Sequence, residues 1–397
     1  MIYLDHCATT PIAPEVLEAM LPFLGAEYGN PSSKYYDQAL TAQAAVEHAR
    51  EQVAGLIHAK PEEIVFTCGA TESNNTILKG VSDYRKYYEQ RGNHIITSRV
   101  EHHAVLNTCR FLNGDIYSNH DNTFALNCSS RKVDRGFEVT FLEVNPYAQV
   151  TPETLESAIR PSTTIISLLW GNNEVGSLND IDLLGRIARD HDVFFHSDAT
   201  QVLGKLPVDA RKLPVDALSF SAHKLYGPKG VGALFVRTDE FGLMPPISSL
   251  IHGGAQENGL RGGTLSVPNI VGFGRAAELA ARNLTENLAR VQRLDREIRA
   301  LLQAHPRVEL LGDPEYHIPG IFSMVVHDPL FYNEQFLKYV GSEFAASTGS
   351  ACTAGEPSHV LQAIGRGSQT GQVLRISIGP ENKRSDIQAL LGRLFPN

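Results

Sequence analysis

Apolar residues recur along this chain with two different periods. In residues 14–24 and 41–58 they return every three to four positions, and Val46, Ala49, Val53, Leu56 and Ile57 share one face of the second stretch, as in an amphipathic helix. Elsewhere they form short unbroken runs bounded by turn residues, the pattern of strands buried on both faces. Seven such runs are Glu63-Ile-Val-Phe-Thr-Cys, His94-Ile-Ile-Thr, Glu138-Val-Thr-Phe-Leu, Thr163-Thr-Ile-Ile-Ser-Leu-Leu, Val193-Phe-Phe-His, Ala217-Leu-Ser-Phe and Gly232-Ala-Leu-Phe-Val. Helical stretches separate most of the early ones. This alternation predicts an α/β fold whose mostly parallel sheet is covered on both faces.

The texture changes near residue 268. A long helical stretch, 268–305, leads to shorter strands at 307–311, 321–326 and 373–378, with helices between and after. The expected division is a large domain over 11–265 and a smaller α+β domain made of 1–10 and 266–397. The polar, Asn- and Ser-rich stretch 113–135 has no clear period and reads as a long functional or mobile loop.

Composition narrows the function. The length, 397 residues, suits two ordinary domains. With 42% hydrophobic and 20% charged residues the chain is near the globular average, which excludes wholesale disorder and fibrous structure. Lys and Arg number 35 against 44 Asp and Glu, a net charge of −9, and no dense basic block offsets it. Direct nucleic-acid binding through phosphate neutralisation is therefore not expected, and Arg131, Lys132 and Arg135 read as a solvated loop face. No apolar run approaches the roughly 20 residues of a membrane helix. The start, Met1-Ile-Tyr-Leu-Asp-His, has neither a basic leader nor an apolar core, so a cytoplasmic protein is expected. Five widely scattered cysteines without a CxxC pair read as free thiols, with neither a disulfide framework nor a metal site.

Three places could carry chemistry. The strand Ala217–Phe220 runs into Ser221, His223 and Lys224 and then a glycine-rich turn. Burial disfavours a lysine's charge, and a depressed lysine is a good imine-forming amine; taken alone, a strand-end lysine reaching to solvent is the commoner case. Asp198, in His196-Ser-Asp-Ala-Thr-Gln, ends another apolar strand, at the edge where such sheets bind ligands; alone it is as readily a helix cap. An acid for a pyridine nitrogen and a lysine for the imine are what a pyridoxal phosphate site needs. Gly69-Ala-Thr-Glu lies between a strand and a helix, where backbone N–H groups and the helix dipole favour a phosphate, although an ordinary helix cap looks the same.

The ordered series Asp5-His-Cys-Ala-Thr-Thr-Pro, Gly29-Asn-Pro-Ser-Ser, Gly69-Ala-Thr-Glu-Ser-Asn-Asn, Glu101-His, Asn172-Asn-Glu-Val-Gly, His196-Ser-Asp-Ala-Thr-Gln, Ser221-Ala-His-Lys-Leu-Tyr-Gly-Pro-Lys-Gly, Arg261-Gly-Gly-Thr and Ser347-Thr-Gly-Ser-Ala-Cys-Thr resembles the cysteine desulfurases. These are a branch of the class V aminotransferase superfamily of fold-type I pyridoxal phosphate enzymes. The resemblance covers nearly the whole chain. It implies a large domain with a mostly parallel seven-stranded sheet plus a smaller α+β domain, pyridoxal 5'-phosphate as cofactor, and a homodimer. By the same resemblance Lys224 bonds the cofactor and later moves the substrate Cα proton, Asp198 pairs with the pyridine nitrogen, and His102 stacks on the ring and serves acid–base steps. Asn173 and Gln201 contact the O3' side. Ala70, Thr71, Ser221 and His223 hold the phosphate, and Thr264 reaches the phosphate of the neighbouring subunit. Arg375 clamps the carboxylate of L-cysteine, with Asn30 helping.

Cys352, among small residues typical of a loop, is the expected nucleophile. Its thiolate would take sulfur from L-cysteine, leaving L-alanine and a Cys352 persulfide for a sulfur-acceptor protein. A lowered pKa or a local base is required, and His102 or His359 would serve. Cys68 and Cys109 read as inert buried thiols, Cys7 as structural but close to the site, and Cys128 as a solvated bystander. The chain departs from the family pattern in a short Cys352–Pro357 segment, in the extra 113–135 stretch, in Tyr36 where a histidine is usual, and in ending at Asn397 soon after its last helix. These departures point to a dedicated pathway, such as tRNA thiolation or DNA phosphorothioation. The rival readings are a cystine or selenocysteine β-lyase that does not need Cys352, and a catalytically idle scaffold.

Overall fold

The computed structural model describes residues 1–115, 133–349 and 357–396. In chain order the first elements are β1 (Ile2–Tyr3), α1 (Pro14–Leu24), α2 (Asp37–Leu56), β2 (Ile64–Thr67), α3 (Ala70–Asp83), β3 (His94–Ser98), α4 (His103–Leu112) and β4 (Glu138–Leu142). They are followed by α5 (Pro152–Ala158), β5 (Thr163–Leu169), α6 (Ile181–Asp190), β6 (Phe194–Asp198), β7 (Ala217–Ser221) and β8 (Gly232–Val236). The last are α7 (Val267–Gln303), β9 (Val308–Leu311), β10 (Ile321–Val326), α8 (Asn333–Val340), β11 (Phe344–Ala345), α9 (His359–Ala363), β12 (Val373–Ser377) and α10 (Arg384–Leu394).

The seven apolar runs assemble into one seven-stranded sheet in the order β2-β8-β7-β6-β5-β3-β4. All its pairings are parallel except the two made by β8. The physical reason is connection length. Residues 222–231 between β7 and β8 hold only a single 3-10 turn, too little chain for the crossover a parallel neighbour needs. Because β2 is antiparallel to β8, it runs the same way as β7. The ends of β2, β3, β5, β6 and β7 therefore arrive at one edge of the sheet. All seven residues of β5 and all five of β6 are buried, which explains why their sequences show no alternation.

The C-terminal part builds a second, antiparallel sheet in the order β12-β10-β9. The 37-residue helix α7 packs on α2 and α1 and reaches to β9. The two-residue strands β1 and β11 pair in parallel and fasten the N-terminus to the C-terminal part. They were not predicted, since two residues carry no period. A π-turn at Tyr84–Tyr88 continues α3 and stacks Tyr84 on Tyr88 at 4.9 Å, another feature without a signature in the pattern. Most of the long loop expected at 113–135 lies outside the described residues, as do Cys128, Arg131 and Lys132. Among the described residues no helix is long and apolar enough to cross a membrane.

Candidate active site

A cavity of about 430 Å³ opens at the carboxyl edge of the large sheet, where β12 of the small sheet closes one wall. Of the residues expected at the site, Ala70, Thr71, His102, Asn173, Asp198, Gln201, Ser221, His223, Lys224 and Arg375 all line it.

Its floor comes from strand ends. Asp198 closes β6 and is buried. Its carboxylate accepts from the Asn74 side-chain amide at 2.7 Å and from the Thr200 backbone N–H at 3.0 Å. Asn74, fully buried on α3, had no role in the sequence reading although its motif was noted. Lys224 ends the 3-10 turn after β7. Its Nζ donates to the carbonyl of Cys7 and, at 2.7 Å, to that of Ala8. Burial pushes its amine down to about 8, helped by Lys205 and Arg375, while Cys7 and Asp5 oppose the shift. An amine tuned this way is much more readily neutral than a free lysine.

One end of the cavity suits an anion. The backbone of Gly69, at φ +150°, turns the chain from β2 into the 14-residue α3, so the helix N-terminus faces the cavity with Gly69, Ala70 and Thr71. Glu72 folds back to accept from the Cys68 N–H at 2.8 Å and is held by Arg261 at 2.9 Å. Ser221 and His223 join from β7 and its turn. Burial, with Lys224 and Lys229, lowers His223 to about 4, so it meets an anion as a neutral donor. The buried Thr200 hydroxyl at the cavity wall has no partner among the described residues.

The opposite wall centres on Arg375 of β12, only 1% exposed. Its guanidinium donates to the carbonyls of Asn173 and Gly349 at 2.8 and 2.7 Å and pairs with Asp5 at 2.6 Å. Its Nε has no partner among the described residues. Nearby, His102 caps α4, its Nδ1 accepting from the Ala104 N–H at 3.1 Å. His359 donates from Nε2 to the Glu101 carbonyl at 2.9 Å, and its ring packs edge-on against His103 at 4.6 Å. Burial holds His359 below the usual histidine range and lifts the Glu101 carboxyl to about 8. Ser358, the residue before His359, donates to the buried Glu174 at 2.5 Å. The sequence reading gave no part to Glu101, Glu174 or Ser358.

Other expected residues stand elsewhere. Asn30 is exposed and caps its own turn through Ser32 N–H at 3.0 Å, and Thr264 is exposed; neither lines the cavity of its own chain. Cys352 lies outside the described residues. Cys7 is buried at the cavity wall and Cys109 is buried, as expected. Cys68, expected to be buried, is instead exposed and lines the cavity. The β2 run ends at Thr67, so Cys68 falls in the turn rather than the strand. Partial burial and the neighbouring Glu72 carboxylate raise its thiol to about 11.

The arrangement fits pyridoxal 5'-phosphate. A helix N-terminus with neutral donors suits its phosphate, a buried carboxylate suits its protonated ring nitrogen, and a depressed lysine suits its aldehyde. Comparison with known proteins agrees. The family described as aminotransferase class-V matches residues 2–390. A mitochondrial cysteine desulfurase of Arthroderma benhamiae is 41% identical over 98% of this chain and 73% of its own length. Cysteine desulfurase IscS of Methylococcus capsulatus is 39% identical over 97% of this chain and 89% of its own. Among solved structures, a NifS-like protein superposes with a TM-score of 0.84 at 34% identity, covering 99% of this chain and 98% of that one. SspA in complex with cysteine superposes at 0.78 and 35% identity, covering 96% of this chain and all of that one. With its cavity, its fold and these relatives in agreement, the chain belongs to the cysteine desulfurase branch of the class-V aminotransferases, pyridoxal phosphate-dependent enzymes of fold type I.

Proposed function

We propose that this enzyme converts L-cysteine to L-alanine by leaving the sulfur as a persulfide on Cys352, from which an acceptor protein collects it. The observation that carries the reading is the convergence in one cavity of a depressed Lys224 amine, the buried Asp198 carboxylate and the Arg375 guanidinium. The carbonyl of Gly349 is bonded to Arg375 at 2.7 Å, and Cys352 follows Gly349 by three residues.

Bound in the cavity, the cofactor supplies an electron sink for carbanionic charge next to the substrate amine. The protein's residues supply the rest. Arg375 takes the substrate carboxylate in a charge-assisted pair, already oriented by Asp5 and the Asn173 carbonyl. Asp198, steadied by Asn74, holds the proton on the ring nitrogen. Lys224 removes the Cα proton and can return it, because burial keeps its amine near neutrality. Thr71, Ser221 and His223 would anchor the phosphate, and His102 would serve acid–base steps beside the ring. The Cys352 thiolate then attacks the substrate sulfur. A new S–S bond forms, the Cβ–S bond breaks with its electron pair remaining on carbon, and protonation there yields alanine.

The enzyme acts as a cytoplasmic homodimer in which Thr264, exposed on its own chain, reaches the neighbouring subunit's phosphate. Its sulfur serves a dedicated route, such as tRNA thiolation or DNA phosphorothioation. Support for a close-docking acceptor comes from the ends of the Cys352 segment. Ser358 is bonded to Glu174 Oε2, and a side chain at Gly349 would come within 3.3 Å of the same atom. The described residues on either side, Gly349 and Ser358, are held by Arg375 and by Glu174 respectively. Incubation with L-cysteine, scoring alanine and sulfide beside a Cys352→Ser variant, tests the reading. Alanine from the wild type and none from the variant is expected; equal rates from both would make the enzyme a β-lyase.

A further inference from the structure

Lys224 borders two cavities. Besides the one described above, a second of about 210 Å³ lies between α1, α7 and the small sheet, and Lys205 and Lys224 both line it. The two lysines are joined by an unbroken hydrogen-bond chain. Lys205 Nζ donates to Gln201 Oε1 at 2.9 Å, Gln201 Nε2 donates to the Cys7 carbonyl at 3.0 Å, and that carbonyl also accepts from Lys224 Nζ.

The chain has a direction. An ammonium group donates only, so the atom of Gln201 that meets Lys205 is its oxygen. The amide nitrogen is thereby turned toward Cys7, in the cofactor cavity that Gln201 lines. Among the described residues Lys205 has no ion-pair partner. Burial disfavours its charge, but the cavity beside it is large enough for several waters, and the Gln201 oxygen helps keep the proton in place. The groups facing Lys224 from the surrounding elements are Cys7, Asp5, Arg375, His223 and Lys205; those acting on Lys205 are Cys7, which favours its charge, and Arg375, which opposes it, while Lys224, His6, Glu15 and Tyr226 line the cavity it borders.

We propose that Lys205 is a positioning residue for the reactive lysine: it fixes the Gln201 amide and sets a second cationic amine behind Lys224, so that Lys224 is the amine that gives up its proton. A neighbouring ammonium is a known means of activating a lysine nucleophile. The inference rests on Lys224 being the residue that bonds the cofactor.

The test uses the full-length chain freed of cofactor. An amine-acylating reagent is applied over a range of pH, and labelling of the Lys224 peptide is read by mass spectrometry, which does not depend on Cys352 or on turnover. Lys205→Met and Lys205→Gln are expected to move the Lys224 labelling midpoint upward by roughly half to one pH unit, slowing labelling near pH 8 by about three- to tenfold. Lys205→Arg, which keeps the charge, should leave the midpoint where the wild type has it. Circular dichroism checks that each variant is folded; should the Met variant fail, the Gln and Arg variants carry the comparison. Midpoints unchanged in the charge-removing variants, or an Arg midpoint displaced as far as theirs, would overturn the proposal. Failure of the persulfide reading would show instead in the L-cysteine assay, with these midpoints unaffected.

Discussion

The floor and the far wall of the active-site cavity are held in different ways. Asp198, Ser221 and Lys224 stand at or just beyond the ends of β6 and β7, and Thr71 on the first turn of α3. The sheet ladder and the buried core beneath them fix these positions. The wall is held by side chains reaching across between the two sheets: Arg375 to Asp5 and to the carbonyls of Asn173 and Gly349, Ser358 to Glu174, and His359 to the Glu101 carbonyl. The difference separates two tasks. On the proposed reading, floor residues hold the cofactor and move protons, and wall residues bind the substrate. Damage to the floor should therefore be read in the cofactor, and damage to the wall in substrate use with the cofactor still in place.

The largest separation is expected between Lys224→Ala and Arg375→Leu. Lys224→Ala removes the proposed general base, and alanine formation should fall by about 10³-fold or more, with loss of the cofactor's characteristic visible absorbance. Arg375→Leu removes a buried charge whose partner, Asp5, is then uncompensated, a change worth about 3–5 kcal/mol. Steady-state kinetics should show kcat/KM for L-cysteine reduced by roughly 10²- to 10³-fold, while that absorbance is kept. A lost absorbance in the Arg375 variant would break the comparison.

Within the floor, Asn74→Ala strips the Asp198 carboxylate of one of its two donors. Titration of the cofactor-free protein should show pyridoxal phosphate binding weakened by roughly ten- to 150-fold, from a lost charge-assisted bond of roughly 1.5–3 kcal/mol. Within the wall, Glu174→Ala frees Ser358. It should leave cofactor affinity unchanged and lower alanine formation by a smaller factor, of about three to ten.

The smallest expected effect concerns pH. Burial lifts the Glu101 carboxyl to about 8, from an ordinary value of 4.5. The folded state therefore holds a proton that the unfolded chain has lost between those values. That contribution is fully present below about pH 4.5 and is lost as pH rises through 8. Thermal melts of Glu101→Gln should show a flatter decline over this window than the wild type. Lys224 works in the opposite sense: its lowered value means that stability gains as pH rises from about 8 toward the ordinary lysine range.

The floor was legible in the sequence and much of the wall was not. An apolar run ending in Asp198 or Lys224 announces a strand end, and a motif followed by α3 announces a helix N-terminus; both signals are local. Glu174 and Ser358 are 184 positions apart, and Glu101 and His359 are 258 apart. No periodicity links such pairs, so only the tertiary fold reveals them. Asn74 was missed for a related reason. It lies one turn into α3, where an asparagine reads as ordinary helix surface until β6 places a carboxylate beside it. Arg375 was found through its family motif, but its bond to Asp5 joins residues 370 positions apart. Cys68 was misjudged because a buried run and the turn that follows it differ by a single residue.

Peptide mapping by mass spectrometry after a brief incubation with L-cysteine and rapid alkylation tests the account most directly. The account predicts one additional sulfur atom on the peptide bearing Cys352, formed together with alanine in the wild type and absent from Lys224→Ala. Alanine accumulating with no added sulfur on that peptide would contradict it.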